Sequence, residues 1–187
     1  MSSPCPARFW WVLDNPLRRI FADPAKVVGL LDLSPDSRVL EIGPGPGFFS
    51  SEIAKRTGNS RLQAVDIQHE MLVRARHKLR TQFLWNVDYV QANAMALPYA
   101  DRSFDGALLF TVLGEVENRA FCLREVWRVL KAGGLLVVGE QRPDPHFITQ
   151  PVLHELTRRE RFDFDYGAGR PWGYTHRFRK PEVTDLA

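Results

Sequence analysis

Seven residues, Glu41-Ile42-Gly43-Pro44-Gly45-Pro46-Gly47, place glycines at every second position with an acid two residues before the first. Asp66 stands 19 residues beyond the last glycine. Glycine is needed where a ligand touches the backbone, because a Cβ would occupy that space. A carboxylate at 66 can accept both hydroxyls of a ribose. The dinucleotide fingerprint GxGxxG would put its third glycine at position 48, which is Phe48. Glu41 beside the turn suits an ammonium group and not a pyrophosphate. The set reads as a site for a nucleoside that carries an amino acid, in preference to a nicotinamide dinucleotide.

Such a site needs a strand leading into the turn and a helix leaving it. Short apolar, β-rich runs occur at Ser37–Ile42, Arg61–Ile67, Val87–Gln91, Phe104–Leu113 and Leu135–Glu140. Few charges interrupt them, as in strands covered on both faces. Between them lie helical stretches. Phe48–Arg56 follows the glycines; His69–Arg80 spaces Met71, Leu72, Ala75 and Leu79 on one face; Asn118–Leu130 does so with Phe121, Val126 and Leu130. Ala132-Gly133-Gly134 reads as the glycine end of that last helix. Asp23-Pro24 opens a helix to about Leu33, and Ser34-Pro35-Asp36 turns the chain into the first strand. His146–Arg159 reads as a helix. Arg161–Tyr166 and Gly173–Arg179 read as a closing strand pair joined by Gly167-Ala168-Gly169-Arg170-Pro171. The alternation predicts an α/β fold with a doubly wound, mostly parallel sheet.

The 187 residues suggest one domain, 1–187, with 1–22 as an aromatic N-terminal segment. The net charge of +3 and pI near 9.1 are spread along the chain, so no nucleic-acid partner is expected. Cys5 and Cys122 are the only cysteines, far apart and without Cys/His ligand spacing, so no structural metal is expected and a cytoplasmic, reducing setting fits. No apolar run reaches the ~20 residues of a membrane span.

Several motifs together resemble the class I S-adenosylmethionine-dependent methyltransferases, in the broad group of ubiquinone/menaquinone C-methyltransferases. Glu41–Gly47 resembles the group's first motif and Asp66-Ile67 its acidic position after strand two. Ala92-Asn93-Ala94-Met95-Ala96-Leu97-Pro98-Tyr99 resembles its "GDAxxLPF" stretch, and Ser103-Phe104-Asp105 the start of strand four. Leu123–Gly134 resembles its "LREIxRVLKPGG" helix and turn, and Tyr174–Pro181 its last strand and "FRKP" end. The resemblance implies a seven-stranded Rossmann-like sheet with an antiparallel final strand, and S-adenosylmethionine as cofactor. It implies that Glu41 faces the methionine ammonium, directly or through water, while Gly43, Gly45 and Gly47 line the methionine part. Asp66 would take the ribose, and Ile67 and Met71 the adenosine. Asn93 and Ala94 would meet the adenine edge, Met95 its face, and Phe110 and Thr111 the sulfonium. Two positions depart from the group: Asn93 stands where aspartate is usual, and Ala92 where glycine is frequent.

Methyl transfer from a sulfonium is an in-line displacement that depends on alignment, with a base needed only where the acceptor must lose a proton early. The candidates for that base are Glu115 and His146, with Glu140, Gln141, Tyr174 and His176 nearby in the expected fold. No Asn-Pro-Pro-aromatic motif follows strand four; that place reads Phe110-Thr111-Val112-Leu113-Gly114-Glu115. A small, apolar or aromatic acceptor is therefore expected. Phe9-Trp10-Trp11 has three readings: a lid over the acceptor, packing at the sheet edge, or contact with a membrane surface. Binding of the cofactor without transfer, as a partner protein, is the alternative function, and a quinone or phospholipid methyltransferase at the membrane surface is another.

Overall fold

A computed structural model describes residues 22–58 and 62–182. Apart from Ala22, the aromatic N-terminal segment lies outside the described residues, and so does Arg61, the expected start of the second strand. The order of elements is α1 (Pro24–Gly29), β1 (Val39–Ile42), α2 (Ser50–Arg56), β2 (Leu62–Asp66), α3 (His69–Thr81), β3 (Val87–Gln91) and β4 (Phe104–Phe110). Then follow α4 (Arg119–Val129), β5 (Leu130–Gln141), α5 (Gln150–Arg159), β6 (Asp163–Arg170) and β7 (Gly173–Arg179). The strands form one seven-stranded sheet in the order β3-β2-β1-β4-β5-β7-β6. The pairings from β3 through β5 are parallel, and β7 runs antiparallel to both its neighbours. This is the expected doubly wound α/β sheet with an antiparallel final strand.

Every residue of β1 and β2 is buried, because helices cover both faces of the sheet. One core holds Val28, Val39, Ile53, Leu62 and Leu79 under α1, α2 and the end of α3. The other holds Leu40, Leu109, Leu123, Val126, Leu136 and Leu153 under α4 and α5. Because β2 and β4 flank β1 on opposite sides, the loops after β1 and β4 diverge and leave a crevice at the carboxyl ends of the strands.

Several boundaries differ from expectation. Helix α1 stops at Gly29, well short of Leu33. Strand β4 ends at Phe110, where Thr111 turns into the left-handed region at φ 55°. Helix α4 ends at Val129 with Leu130 already extended, so Gly133 and Gly134 lie within β5 and do not cap the helix. A lysine does the capping. Buried Lys180 donates from Nζ to the carbonyls of Trp127 and Leu130, both at 2.7 Å, and sits 3.8 Å from the Trp127 ring centre. Cationic donors suit the negative end of a helix. Lys180→Met keeps the stem but leaves two carbonyls and their shell unsatisfied. It is expected to lower stability by about 2–4 kcal/mol, read as a lower urea midpoint with an unchanged slope. Phe121 is not part of the core face of α4: it is 51% exposed, beneath the Arg124 guanidinium at 5.4 Å. Cys122 and Leu123 take the buried positions instead.

Candidate functional site

A cavity of about 1330 Å³ opens at the carboxyl ends of β1, β2, β4 and β5. Its floor is the turn after β1. Gly43 and Gly45 both line it, with φ of 67° and 53°, backbone that side-chain-bearing residues adopt only at a cost. A Cβ on Gly43 would lie 2.3 Å from Cγ2 of Val112, so the turn and the loop after β4 can meet only if this residue is glycine. Gly47 does not line the cavity. Its missing Cβ makes room for Leu79 and Ala75, so it lets the turn settle on α3.

Asp66 lines the cavity beside this turn, buried at the end of β2. Its Oδ1 accepts from the Gln68 amide at 2.9 Å, and the amides of Gly45 and Ile67 also point at the carboxylate. Burial still outweighs these donors and holds its pKa above the usual aspartate value. Such a carboxylate gains from hydroxyl donors that arrive with a ligand. Glu41 lies beneath the turn and outside the cavity lining, 2% exposed, with Oε2 accepting from the Ser50 hydroxyl at 2.5 Å. Burial raises it to about 7, against the lowering effect of Ser50. Any ammonium it serves is reached past the turn.

The remaining expected contacts divide. Ile67 lines the cavity and is 53% exposed. A branched apolar residue left that open at the end of a buried strand has no core to serve. Met71 lines the cavity too but is fully buried, so it also fills the core. Asn93, Ala94 and Met95 line the cavity after β3. The Asn93 side-chain oxygen already accepts from the Met95 amide at 2.9 Å and shapes that turn. Phe110 and Thr111 lie at the end of β4, with Phe110 4.6 Å from the Phe49 ring. The Thr111 amide donates to the Gly139 carbonyl at 2.8 Å while its backbone is left-handed, a state that costs about 1–3 kcal/mol and fixes the wall there.

Of the base candidates, Glu115 and Gln141 line the cavity and the others do not. The backbone of His146 is fixed in the loop: its carbonyl packs where a Gly114 Cβ would be, 2.0 Å away, and its amide donates to Asp144 Oδ1 at 2.7 Å. Helix α5 consequently begins at Gln150 and not at His146. Glu140 is buried with Oε1 unpartnered, and burial raises it to about 8. The Tyr174 hydroxyl donates to the Ile148 carbonyl at 2.6 Å. His176 is buried against His154, with ring nitrogens 2.8 Å apart, and is held down to about 4 by burial and then by His154.

Sequence reasoning missed the far wall. Arg142, Asp144, Gly169, Arg170 and Trp172 complete the cavity from the end of β5 and the β6–β7 hairpin. The region read as a glycine-rich connection is strand through Arg170, and the hairpin tip is only Pro171-Trp172. Its signal was present in Trp172, a large apolar residue at a tight turn.

The cradle fits S-adenosylmethionine. Two glycines in the turn, a buried carboxylate held by backbone amides at the cavity edge, and a half-exposed isoleucine beside it match its methionine, ribose and adenine parts in chemistry. The profile of the methyltransferase domain family matches residues 40–138. The ubiquinone/menaquinone biosynthesis C-methyltransferase of Klebsiella pneumoniae is 36% identical over 122 residues, covering 64% of this chain and 46% of that enzyme. That of Hydrogenovibrio crunogenus is 36% identical over 128 residues, covering 67% and 49%. The chain thus spans about half the length of these curated relatives. A crystal structure of an S-adenosylmethionine-dependent methyltransferase from Aquifex aeolicus superposes with a TM-score of 0.87 at 20% identity, covering 95% of this chain and all of that one. The [4+2]-cyclase SpnF superposes at 0.77 and 21% identity, covering 85% and 80%, so the fold by itself does not name a reaction. With more than half of its length in the domain match and the motif residues gathered at one cavity, the chain belongs to the methyltransferase domain family, as a class I S-adenosylmethionine-dependent methyltransferase.

Proposed function

We propose that the chain transfers a methyl group from S-adenosylmethionine to a small, apolar or aromatic acceptor. The observation that carries this is one cavity lined both by Gly43, Gly45 and Asp66 and by the aromatic residues Phe49, Phe110 and Trp172. Its volume exceeds the roughly 300–1,000 Å³ of ordinary ligand pockets, so cofactor and acceptor fit together. When bound, S-adenosylmethionine supplies a methyl carbon on a sulfonium: the acceptor's electron pair forms the new bond, the carbon–sulfur pair returns to sulfur, and a neutral thioether results.

The residues here have four tasks. Asp66 receives the ribose hydroxyls, and the turn at Gly43–Gly45 lets the backbone approach the methionine part. Ile67 and Met71 cover the adenosine, with the turn at Asn93–Met95 along the adenine. Phe49 and Phe110 exclude water near the reacting carbon. Glu115 takes any proton that the acceptor releases. The names of the curated relatives support a quinone-like ring as one acceptor class. Among the described residues no helix is long and apolar enough to cross a membrane, so a lipid-borne acceptor would be met at the membrane surface.

Binding without transfer is the second reading, favoured by the absence of His146, Glu140 and His176 from the cavity lining. One experiment addresses both. Calorimetry is expected to give micromolar affinity for S-adenosylmethionine and its demethylated product, near −8 kcal/mol. Mass spectrometry of an aromatic acceptor panel is expected to show a gain of one methyl. Cofactor binding with no transfer to any acceptor selects the second reading; no cofactor binding overturns both.

A further inference from the structure

The far wall of the cavity carries two arginines, and among the described residues Arg38 and Arg80 elsewhere rest on rings without an ion pair in the same way. Arg142 follows β5, and its guanidinium lies 4.7 Å from the Phe147 ring centre. Arg170 ends β6, and its guanidinium lies 5.3 Å from the Trp172 ring centre. The Arg142 amide donates to the Trp172 carbonyl at 2.9 Å, which ties the two segments together. Both line the cavity. Arg56, Arg124, Arg128, Arg158, Arg159, Arg177 and Arg179 all pair with carboxylates. Among the described residues Arg142 and Arg170 pair with none; each rests on an aromatic face instead.

An arginine stacked on a ring keeps its in-plane donors free, and those donors match a carboxylate in pairs. The acids on the cavity do not consume them. Asp144, Glu115 and Glu117 line the same cavity, and none of them forms an ion pair with either arginine. Trp172, 52% exposed beside Arg170, offers an apolar face next to the charge.

We propose that this wall is the subsite for a carboxylate borne on an aromatic body, so that the acceptor is an aromatic acid. The inference rests on the methyltransferase reading of the cavity. The carboxylate lies between Arg142 and Arg170, the ring packs on Trp172, and the nucleophilic atom is directed toward Phe110 and Thr111.

The test loads the protein with S-adenosylhomocysteine and titrates 2-naphthoate and 2-naphthamide, which share shape and differ in charge. The wild type is expected to bind naphthoate at least tenfold more tightly than naphthamide. Arg142→Met and Arg170→Met are each expected to reduce that preference, and the double variant to abolish it, with S-adenosylhomocysteine affinity and melting temperature unchanged. Equal binding of the two probes, no binding of either, or a preference that survives in the double variant overturns the subsite while the cofactor reading stands. Failure of S-adenosylhomocysteine to bind the wild type overturns both.

Discussion

Asp66→Ala is expected to weaken S-adenosylmethionine binding by at least 100-fold and, because the amides of Gly45, Ile67 and Gln68 lose their acceptor, to lower the melting temperature as well. The two ribose hydroxyls lose a charged acceptor, and hydrogen bonds to charged groups contribute roughly 1.5–3 kcal/mol each. The Gly45 and Gln68 amides lose their partner as well, so the turn that meets the methionine part is less well held. Asp66→Asn keeps the shape and one acceptor oxygen and is expected to fall between wild type and alanine. Calorimetry of the three proteins decides it. An alanine variant with wild-type affinity would mean that the ribose lies elsewhere.

The second large effect concerns pH and Glu140. This side chain is 1% exposed, accepts weakly from the Ile148 amide at 3.4 Å and leaves Oε1 without a partner. Burial raises it to about 8, and the folded protein therefore holds a proton that the unfolded chain releases near 4.5. The sign follows from proton uptake: stability is fully present below the unfolded value and is lost as pH rises through the folded one. From pH 6.5 to 9 the wild type is expected to lose about 2 kcal/mol. Glu41, raised to about 7, adds only the lower part of that window. His176, held at about 4, stays neutral throughout. Glu140→Gln removes the titration and is expected to flatten the curve, so the variant is the more stable protein at pH 9. Urea midpoints across the series check this; parallel curves for the two proteins would show that Glu140 is already ionised in the fold across this range and that burial does not raise it.

The parallel half of the sheet was legible in the sequence because strands buried on both faces consist of unbroken apolar residues. The turn at Gly43–Gly47 was legible because close backbone contact leaves no residue but glycine. The closing β6–β7 pair was legible as well, but not the reach of β6 through Gly167–Arg170. Gly167 and Gly169 read as a loop, yet they stand in a strand because Cβ atoms there would strike His176 and Tyr174 on the neighbouring strand. Glycine marks a tight neighbour as often as a bend, and one chain alone does not say which. His146 was misplaced for a related reason: the backbone of Gly114 and His146 meet, and that contact sets the direction of the loop. The cofactor side of the cavity follows local motifs. The acceptor side is assembled from segments far apart in the chain, and no spacing rule connects Arg142 with Arg170.

The place of β7 in the sheet has a consequence during synthesis. It is the last strand of the described chain, yet it sits between β5 and the outer β6. A ribosome that has released residues only through β5 has released every strand of the parallel sheet, with the β5 flank still open. Residues through Arg179 must emerge before the hairpin can dock there and bring Arg170 and Trp172 to the cavity. A nascent chain can thus form the turn at Gly43–Gly45 beside Asp66 before Arg170 and Trp172 reach the cavity.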